Sequence, residues 1–340
     1  MLKQTKKITV VGGGSWATAL AKMLTDNGHT INWWLRSEAT IEHIRKRRHN
    51  PHYISSAYFE PALLHMDTNI QAVIAASDAV VICVPSSYLL SNFFELPADA
   101  FAGKKIISAI KGVLPGTNQL LNEYLAGNFQ VPVADYFTIM GPCHAEEVAA
   151  EKLSYLTFSG EDVETAATIA SHFKTYYLNT VVNHDIWGTQ YAAVLKNIYA
   201  VGSGIAHGLE YGDNFISVYI ANAANELVNF LRTVMEHKQA PDRGLINYQS
   251  SVYMGDLLVT CYSLFSRNRT FGNMIGKGYS VKVAQLEMNM VAEGHPASKG
   301  LFEINQSIGA VMPIATTIYN ILWNHADPRK AFKEMEECLM

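Results

Sequence analysis

The chain has 340 residues, 49% of them hydrophobic and 16% charged, with a formal net charge of −4. That length favours about two domains over a single core, and the composition fits a folded globular protein. The mild acidity argues against a nucleic-acid partner, because phosphate contacts are made by clustered Lys and Arg.

The first informative stretch is Lys6 to Leu24, KKITVVGGGSWATALAKML. The apolar run Ile8 to Val11 predicts a strand, the glycines a tight turn, and the spacing of Ala17, Leu20, Ala21 and Leu24 a helix. Gly12, Gly14 and Ala17 fill the small-residue places of a G-x-G-x-x-G/A pattern. The first place lets the chain turn, the second lets backbone approach a pyrophosphate, and the third packs helix against strand. The helix N-terminus adds unpaired N–H groups and the positive end of a dipole. A dinucleotide-binding turn is therefore expected here.

His29 to Arg36 alternates as a second strand. An acidic residue at its end would favour a free ribose, whereas a cation favours a 2′-phosphate. Arg36 stands there with Glu38 two places on, which tilts the cofactor toward NADP. Arg also stacks on adenine, so NAD stays open. Residues 39–68 read as irregular and helical by turns, with Arg45 to Arg48 as a solvated helix end and Asn50 to Tyr53 as a loop. Asp78 to Val84 and Lys104 to Ala109 are continuous apolar runs of the kind buried on both faces of a parallel sheet. Tyr136 to Met140 predicts another strand, followed by Gly141 to His144 and a helix from Ala145. Gly12 to Ser15, Arg36, Pro85 to Ser87, Lys111 and Gly141 to His144 all fall just past predicted strand ends. In an open parallel sheet those ends form one ligand crevice. Strands over Leu153 to Gly160 and Tyr176 to Val182, with a helix from Val163 to Phe173 between them, extend the sheet.

Beyond residue 187 the pattern turns helical. In Gln190 to His207, Lys196 and Asn197 form a strongly polar pair within small and apolar residues. Lys196 either reaches the surface along the helix edge or meets a ligand, since an unpaired buried ammonium is costly. Desolvation would lower its pKa toward the range useful for proton transfer. Asn214 to His237 reads as a packing helix, and Asp256 and Thr260 share one face of the next. Phe265 to Arg269 is expected to close that helix ahead of a flexible segment punctuated by Gly272, Gly276 and Gly278. The Arg267-Asn268 pair reads either as a phosphate grip or as a basic helix C-terminus. Met290 to Gly294 reads as a bend, and residues 325–340 as a charged, peripheral tail helix.

The four cysteines, Cys83, Cys143, Cys261 and Cys338, lack CxxC spacing, so neither a zinc site nor a disulfide framework is expected and a reducing cytoplasm fits. No apolar run approaches a membrane span, and the glycine turn comes too soon for a signal peptide.

In order, the blocks GGGSWATALA, VPS, IKG, GPCHAEEVA, LKN, GDLLVTC with SRN, and AEG resemble the NAD(P)-dependent glycerol-3-phosphate dehydrogenases of bacterial type, from about residue 8 to residue 322. The resemblance implies an α/β Rossmann-type dinucleotide-binding domain over 1–187. An all-α substrate domain, of the kind seen in 6-phosphogluconate dehydrogenase, would follow over 188–340. It implies reversible reduction of dihydroxyacetone phosphate to sn-glycerol 3-phosphate with NAD or NADP, without a metal. It also implies a cytoplasmic homodimer supplying phospholipid synthesis.

By the same resemblance Lys196 would be the proton acceptor, with Lys111 and Asp256 completing the catalytic set. Gly12, Gly14, Ser15, Trp16, Arg36, Tyr53, Lys111, Ala145, Arg267, Val291 and Glu293 would hold the cofactor. Lys111, Gly141, Cys143, Lys196, Asn197, Asp256, Thr260, Ser266, Arg267 and Asn268 would meet the substrate, with Arg267 and Asn268 on its phosphate. The chain departs from the family pattern at Cys143, where Ser is usual, and at NFISVYIANA, where Asn222 replaces an arginine. It departs again at YQSSVYMGDL, where the family's FxGLAGLGDL has lost the glycines that precede Gly255 and Asp256. The changes near Asn222 and Asp256 leave one rival, a related dehydrogenase of another small phosphorylated polyol or hydroxy acid; a second is a dinucleotide sensor that keeps the glycine turn but has lost catalysis. The intact Lys111, Lys196, Asp256 and Arg267 speak against the sensor.

Overall fold

The computed structural model describes residues 7–238, 246–288 and 291–340. Lys6 and Met290, assigned above to the first strand region and to a bend, lie outside them. The chain divides into two compact units, Met1–Ile110 with Gln119–Ile186, and Lys111–Asn118 with Trp187–Met340.

The first unit is built on strands β1 (Ile8–Val11), β2 (Ile31–Trp34), β3 (Leu64–Asp67), β4 (Ala79–Ile82), β5 (Lys105–Ser108), β6 (Tyr136–Met140), β7 (Ser154–Gly160) and β8 (Leu178–Asn183). Their order is β3-β2-β1-β4-β5-β6-β7-β8. The first six run parallel, β7 is antiparallel to β6, and β8 is parallel to β7. Strand order reverses between β1 and β4, which opens a crevice at their C-terminal ends. Both strands, ITVV and AVVI, are buried along their whole length, as their largely β-branched apolar sequences allow. Helices α1 (Ser15–Asp26), α2 (Glu38–Arg47), α3 (Ile70–Ala75), α4 (Ser86–Phe93), α5 (Leu121–Phe129), α6 (Ala145–Ala149) and α7 (Val163–Phe173) connect the strands.

Residues 39–68, read as irregular and helical by turns, contain helix α2 as expected, but strand β3 corrects the rest of that reading. At the sheet edge it needs only Leu64 and Met66 buried, while His65 and Asp67 face water, so its apolar signal is halved.

The second unit contains α8 (Ile186–Gly208), α9 (Asp213–His237), a π-helical turn over Ser251–Gly255, α10 (Asp256–Tyr262), α11 (Arg267–Gly276), α12 (Val281–Glu287), α13 (Gly294–Ile308), α14 (Pro313–Trp323) and α15 (Pro328–Glu336). Helix α8 is buried on nearly every face, which explains its small and apolar sequence. Gly272 and Gly276 do not punctuate a flexible segment. They lie inside α11, where a Cβ would come within 1.9 Å of the Val201 carbonyl oxygen and 2.3 Å of that of Ile205. From the other side, Gly204 and Gly208 of α8 meet the carbonyls of Arg269 and Asn273 at 2.0 and 2.4 Å on the same test. Glycine is present there because two helix backbones touch, not because the chain bends.

The tail is likewise less peripheral than its charges predict. Phe332 and Met335 of α15 are fully buried, with Phe332 beside Tyr211, Phe215 and Tyr219. Residues Lys111–Asn118, which lie inside the first domain by sequence order, pack with the helical unit. Val113 fills the space beside Gly300, and Asn118 donates to Glu303 at 2.6 Å.

Candidate active site

In the first unit the glycine turn has the shape of a phosphate cradle. Gly12 has φ +133°, and a Cβ there would sit 2.5 Å from the Cys83 carbonyl oxygen, so no side chain is tolerated. Its own carbonyl accepts the Trp33 indole N–H at 2.7 Å. A side chain at Gly14 would instead point into open space, the path along which a pyrophosphate would approach. Ser15 opens α1 and is buried, and Trp16 is half-buried beside it. These features fit a dinucleotide.

Asn50, which sequence reasoning took only as part of a loop, holds this turn. Its amide donates to the Gly13 carbonyl at 3.1 Å and to the Thr18 hydroxyl at 2.9 Å, while its Oδ1 accepts the N–H groups of His52 and Tyr53. The Asn-Pro pair was the available signal, since Asn before Pro favours such side-chain turns. Tyr53 is thereby fixed, half-buried, next to the glycine turn. Arg36 is exposed just past β2, and Ser37 after it caps α2 by accepting the Thr40 N–H. At the end of β6, Gly141 has φ +132° and lies against the Tyr155 carbonyl, and Cys143 and Ala145 are buried at the start of α6.

In the second unit Lys196 is 4% exposed, which rules out the surface reading. Its ammonium donates to Oδ1 of Asp256, itself 2% exposed. Burial lowers the Lys196 pKa to about 8, with Asp256 opposing the shift and Lys111 adding to it. Oδ2 of Asp256 has no hydrogen-bond partner among the described residues. The altered block before Asp256 forms the π-helical turn, so Asp256 sits where one helical geometry passes into another, a frequent arrangement at functional sites. Thr260 lies one turn on and donates to the Asp256 carbonyl at 2.5 Å.

Arg267 and Asn268 open a helix instead of closing one, correcting the C-terminal reading. Ser266 caps α11 by accepting the Arg269 N–H, and Arg267 is exposed at the first helical position. Two arginines in the first turn oppose the helix dipole, an arrangement that an anion would relieve. Asn268 bonds to Asn197 and to the Gly294 N–H, next to Glu293. Val291 is exposed two residues before Glu293. The structure thus brings Lys111, Lys196, Asn197, Asp256, Thr260 and Asn268 into one network within the helical unit. Among the described residues no group of three or more His, Cys, Asp or Glu side chains is arranged to hold a metal.

Two family models match this chain. That of the NAD-dependent glycerol-3-phosphate dehydrogenase N-terminus covers residues 7–166, and that of the C-terminus covers 185–333. The chain belongs to the NAD-dependent glycerol-3-phosphate dehydrogenase family. It is 33% identical over 331 residues to a glycerol-3-phosphate dehydrogenase (NAD(P)+) of Enterococcus faecalis, covering 97% of this chain and 95% of that one. A Streptococcus suis enzyme of the same name is 32% identical over 337 residues, covering 98% and 96%. Among solved structures, glycerol-3-phosphate dehydrogenase from Coxiella burnetii superposes with a TM-score of 0.86 at 25% identity, over 98% of this chain and 99% of that one. The Dunaliella salina structure, at 21% identity and TM-score 0.84, covers 97% and 60% and shares the fold. Membership in this family carries the Rossmann-type sheet and the helical second unit together.

Of the departures from the family pattern, Asn222 holds the end of the chain. Its amide donates to the Met340 carbonyl at 2.9 Å and its Oδ1 accepts the Met340 N–H at 3.1 Å.

Proposed function

We propose that this chain reversibly reduces dihydroxyacetone phosphate to sn-glycerol 3-phosphate with NAD(P)H, and that Lys196 moves the proton. The observation that carries the proton assignment is the buried Lys196–Asp256 pair, with the lysine pKa lowered to about 8 and Oδ2 of Asp256 unpartnered among the described residues. When bound, the dinucleotide supplies the hydride in reduction and takes it in oxidation. Lys196 gives its proton to the developing alkoxide oxygen on reduction and removes the hydroxyl proton on oxidation. Asp256 steadies the ammonium, and its Oδ2 accepts a substrate hydroxyl. Lys111 adds positive charge beside Lys196, favouring the carbonyl oxygen as charge develops there.

Arg267 and Asn268, with the N–H groups at the start of α11, hold the phosphate away from the reacting carbon, and that remote binding energy aligns the carbonyl. Gly141, Cys143, Asn197, Thr260 and Ser266 complete the substrate contacts. A thiol at Cys143 is a weaker donor than a hydroxyl. Gly12, Gly14, Ser15, Trp16, Arg36, Tyr53, Lys111, Ala145, Arg267, Val291 and Glu293 hold the dinucleotide. The exposed Arg36 cation past β2 supports NADP over NAD.

The family resemblance supports a homodimer, a cytoplasmic location and a role in supplying glycerol 3-phosphate for phospholipid synthesis. Among the described residues no helix is long and apolar enough to cross a membrane. The test is a panel of carbonyl substrates with NADH and NADPH in parallel, followed optically. Saturable turnover is expected with dihydroxyacetone phosphate and little with unphosphorylated carbonyls. Turnover of another substrate alone would overturn the reading.

A further inference from the structure

We infer that His43 and His49 form a two-ligand clip for a tetrahedral divalent cation such as zinc, and that the bound ion tightens the dinucleotide site through Asn50. The Nε2 atoms of the two half-buried rings face each other at 3.5 Å, with the rings nearly perpendicular at 79°. That gap is long for an N–H···N hydrogen bond. It matches the bite of a metal instead. Two imidazole nitrogens bound at about 2.0–2.1 Å to a tetrahedral ion lie about 3.3 Å apart, against about 2.9 Å for neighbouring ligands of a square-planar one. His49 is also prepared at its other nitrogen. Its Nδ1 lies 3.1 Å from the Asn50 carbonyl, so Nδ1 carries the proton and Nε2 keeps its lone pair, which is how ligating histidines are held. Tyr58 packs edge-on against the same ring.

Most of the charge around the clip is cancelled. Arg45 pairs with Glu38 and Glu42, Lys46 with Glu42, and Arg48 with Glu60. Partial burial, then His49, Arg47 and His52, hold the His43 pKa below its ordinary value, which keeps the ring neutral and its lone pair available near pH 7. The charge of Arg47 opposes a dication, and the remaining coordination positions fall to water, so the ion is exchangeable and not a permanent structural centre. His43 lies in α2, whereas His49 directly precedes Asn50, whose amide holds the glycine turn through Gly13 and Thr18. Bridging the two rings therefore fixes the backbone from which Asn50 reaches that turn and to which Tyr53 is tied. The clip belongs to the first unit and is independent of the proton chemistry proposed for Lys196, so either can fail without the other.

The test titrates chelator-treated, full-length protein with Zn²⁺ by calorimetry, and with Co²⁺, whose tetrahedral complexes absorb strongly in the visible. A single ion is expected to bind with the tetrahedral spectrum, and His43→Gln and His49→Gln are each expected to weaken it by about 10-fold or more. Zn²⁺ should lower the Kd for NADPH by about 5-fold, and by linkage NADPH should tighten Zn²⁺ by the same factor. The variant carrying both substitutions should bind NADPH as the metal-free wild type does and lose the response to Zn²⁺, which also corrects for zinc held by the phosphates of the nucleotide. Circular dichroism checks folding, and His43→Ala and His49→Ala replace any glutamine variant that is unfolded. Binding that survives in the double variant overturns the site, as does binding lost instead in His172→Gln, which would move the ion to the His29–His172 pair. Zn²⁺ held at the clip with an unchanged Kd for NADPH overturns the coupling to Asn50.

Discussion

Lys196 and Asp256, 60 residues apart in sequence, meet as a buried ion pair at the junction of a π-helical turn and helix α10. Both side chains are almost completely buried, yet the carboxylate keeps one oxygen without a partner among the described residues. A pair serving stability alone would be expected to have both oxygens bonded, because an unsatisfied buried acceptor is destabilising.

The first consequence is a pH profile with opposite signs in the two directions. Reduction needs Lys196 protonated, so kcat should fall as pH rises through about 8, whereas oxidation of glycerol 3-phosphate needs it neutral and should rise over the same range. Initial rates from pH 6 to 10 in each direction check this. Parallel profiles in the two directions would be inconsistent with Lys196 as the proton carrier.

Cofactor choice should respond to Arg36. Removing its guanidinium in Arg36→Ala deletes a charge-assisted contact to a 2′-phosphate, raising the NADPH KM by about 10-fold or more and leaving that for NADH within a few-fold. Equal changes for both cofactors would assign Arg36 to adenine stacking.

The crossing of α8 and α11 predicts a large packing effect from one methyl group. Gly272→Ala forces a Cβ against the Val201 carbonyl and should destabilise by about 1–3 kcal/mol or more, lowering Tm by several degrees. Gly127→Ala in α5, where the Cβ meets nothing within 4 Å, is the control and should be neutral or slightly stabilising. Similar Tm values for the two variants would remove the argument that backbone contact dictates these glycines.

Glu226 predicts a second, separate pH effect, on stability. It is buried, accepts the N–H groups of Ile314 and Ala315 at 2.8 and 2.9 Å and the Tyr199 hydroxyl at 3.1 Å, and burial raises its pKa from 4.5 to about 7. A folded-state pKa above the unfolded one means a contribution fully present below about 4.5 and lost as pH rises through about 7. Glu226→Gln should therefore flatten that fall in urea-unfolding free energy between pH 5 and 8. An unchanged slope in the variant would show that another group is responsible.

Sequence legibility followed how locally each feature is determined. Strand β1, its glycine turn and helix α7 are written in short-range patterns, and Ile8–Val11 and Val163–Phe173 appear where the periodicity puts them. Strand β3 was not legible, because an edge strand of alternating burial leaves only Leu64 and Met66 as apolar signal. Gly272 and Gly276 looked like helix breakers, since the backbone they pack against lies about 70 residues earlier in the chain. At the candidate site, Lys196 and Asp256 were identifiable as residues, but their pairing is a tertiary fact. So is the role of Asn50, whose partners at Gly13 and Thr18 lie 37 and 32 residues away.

The most direct measurement is NADPH oxidation with dihydroxyacetone phosphate by Lys196→Ala beside the wild type, with dinucleotide affinity measured on the same samples. Loss of about 10²- to 10⁴-fold or more in kcat is expected, with cofactor binding essentially unchanged. Turnover within a few-fold of the wild type would contradict the assignment of the proton to Lys196.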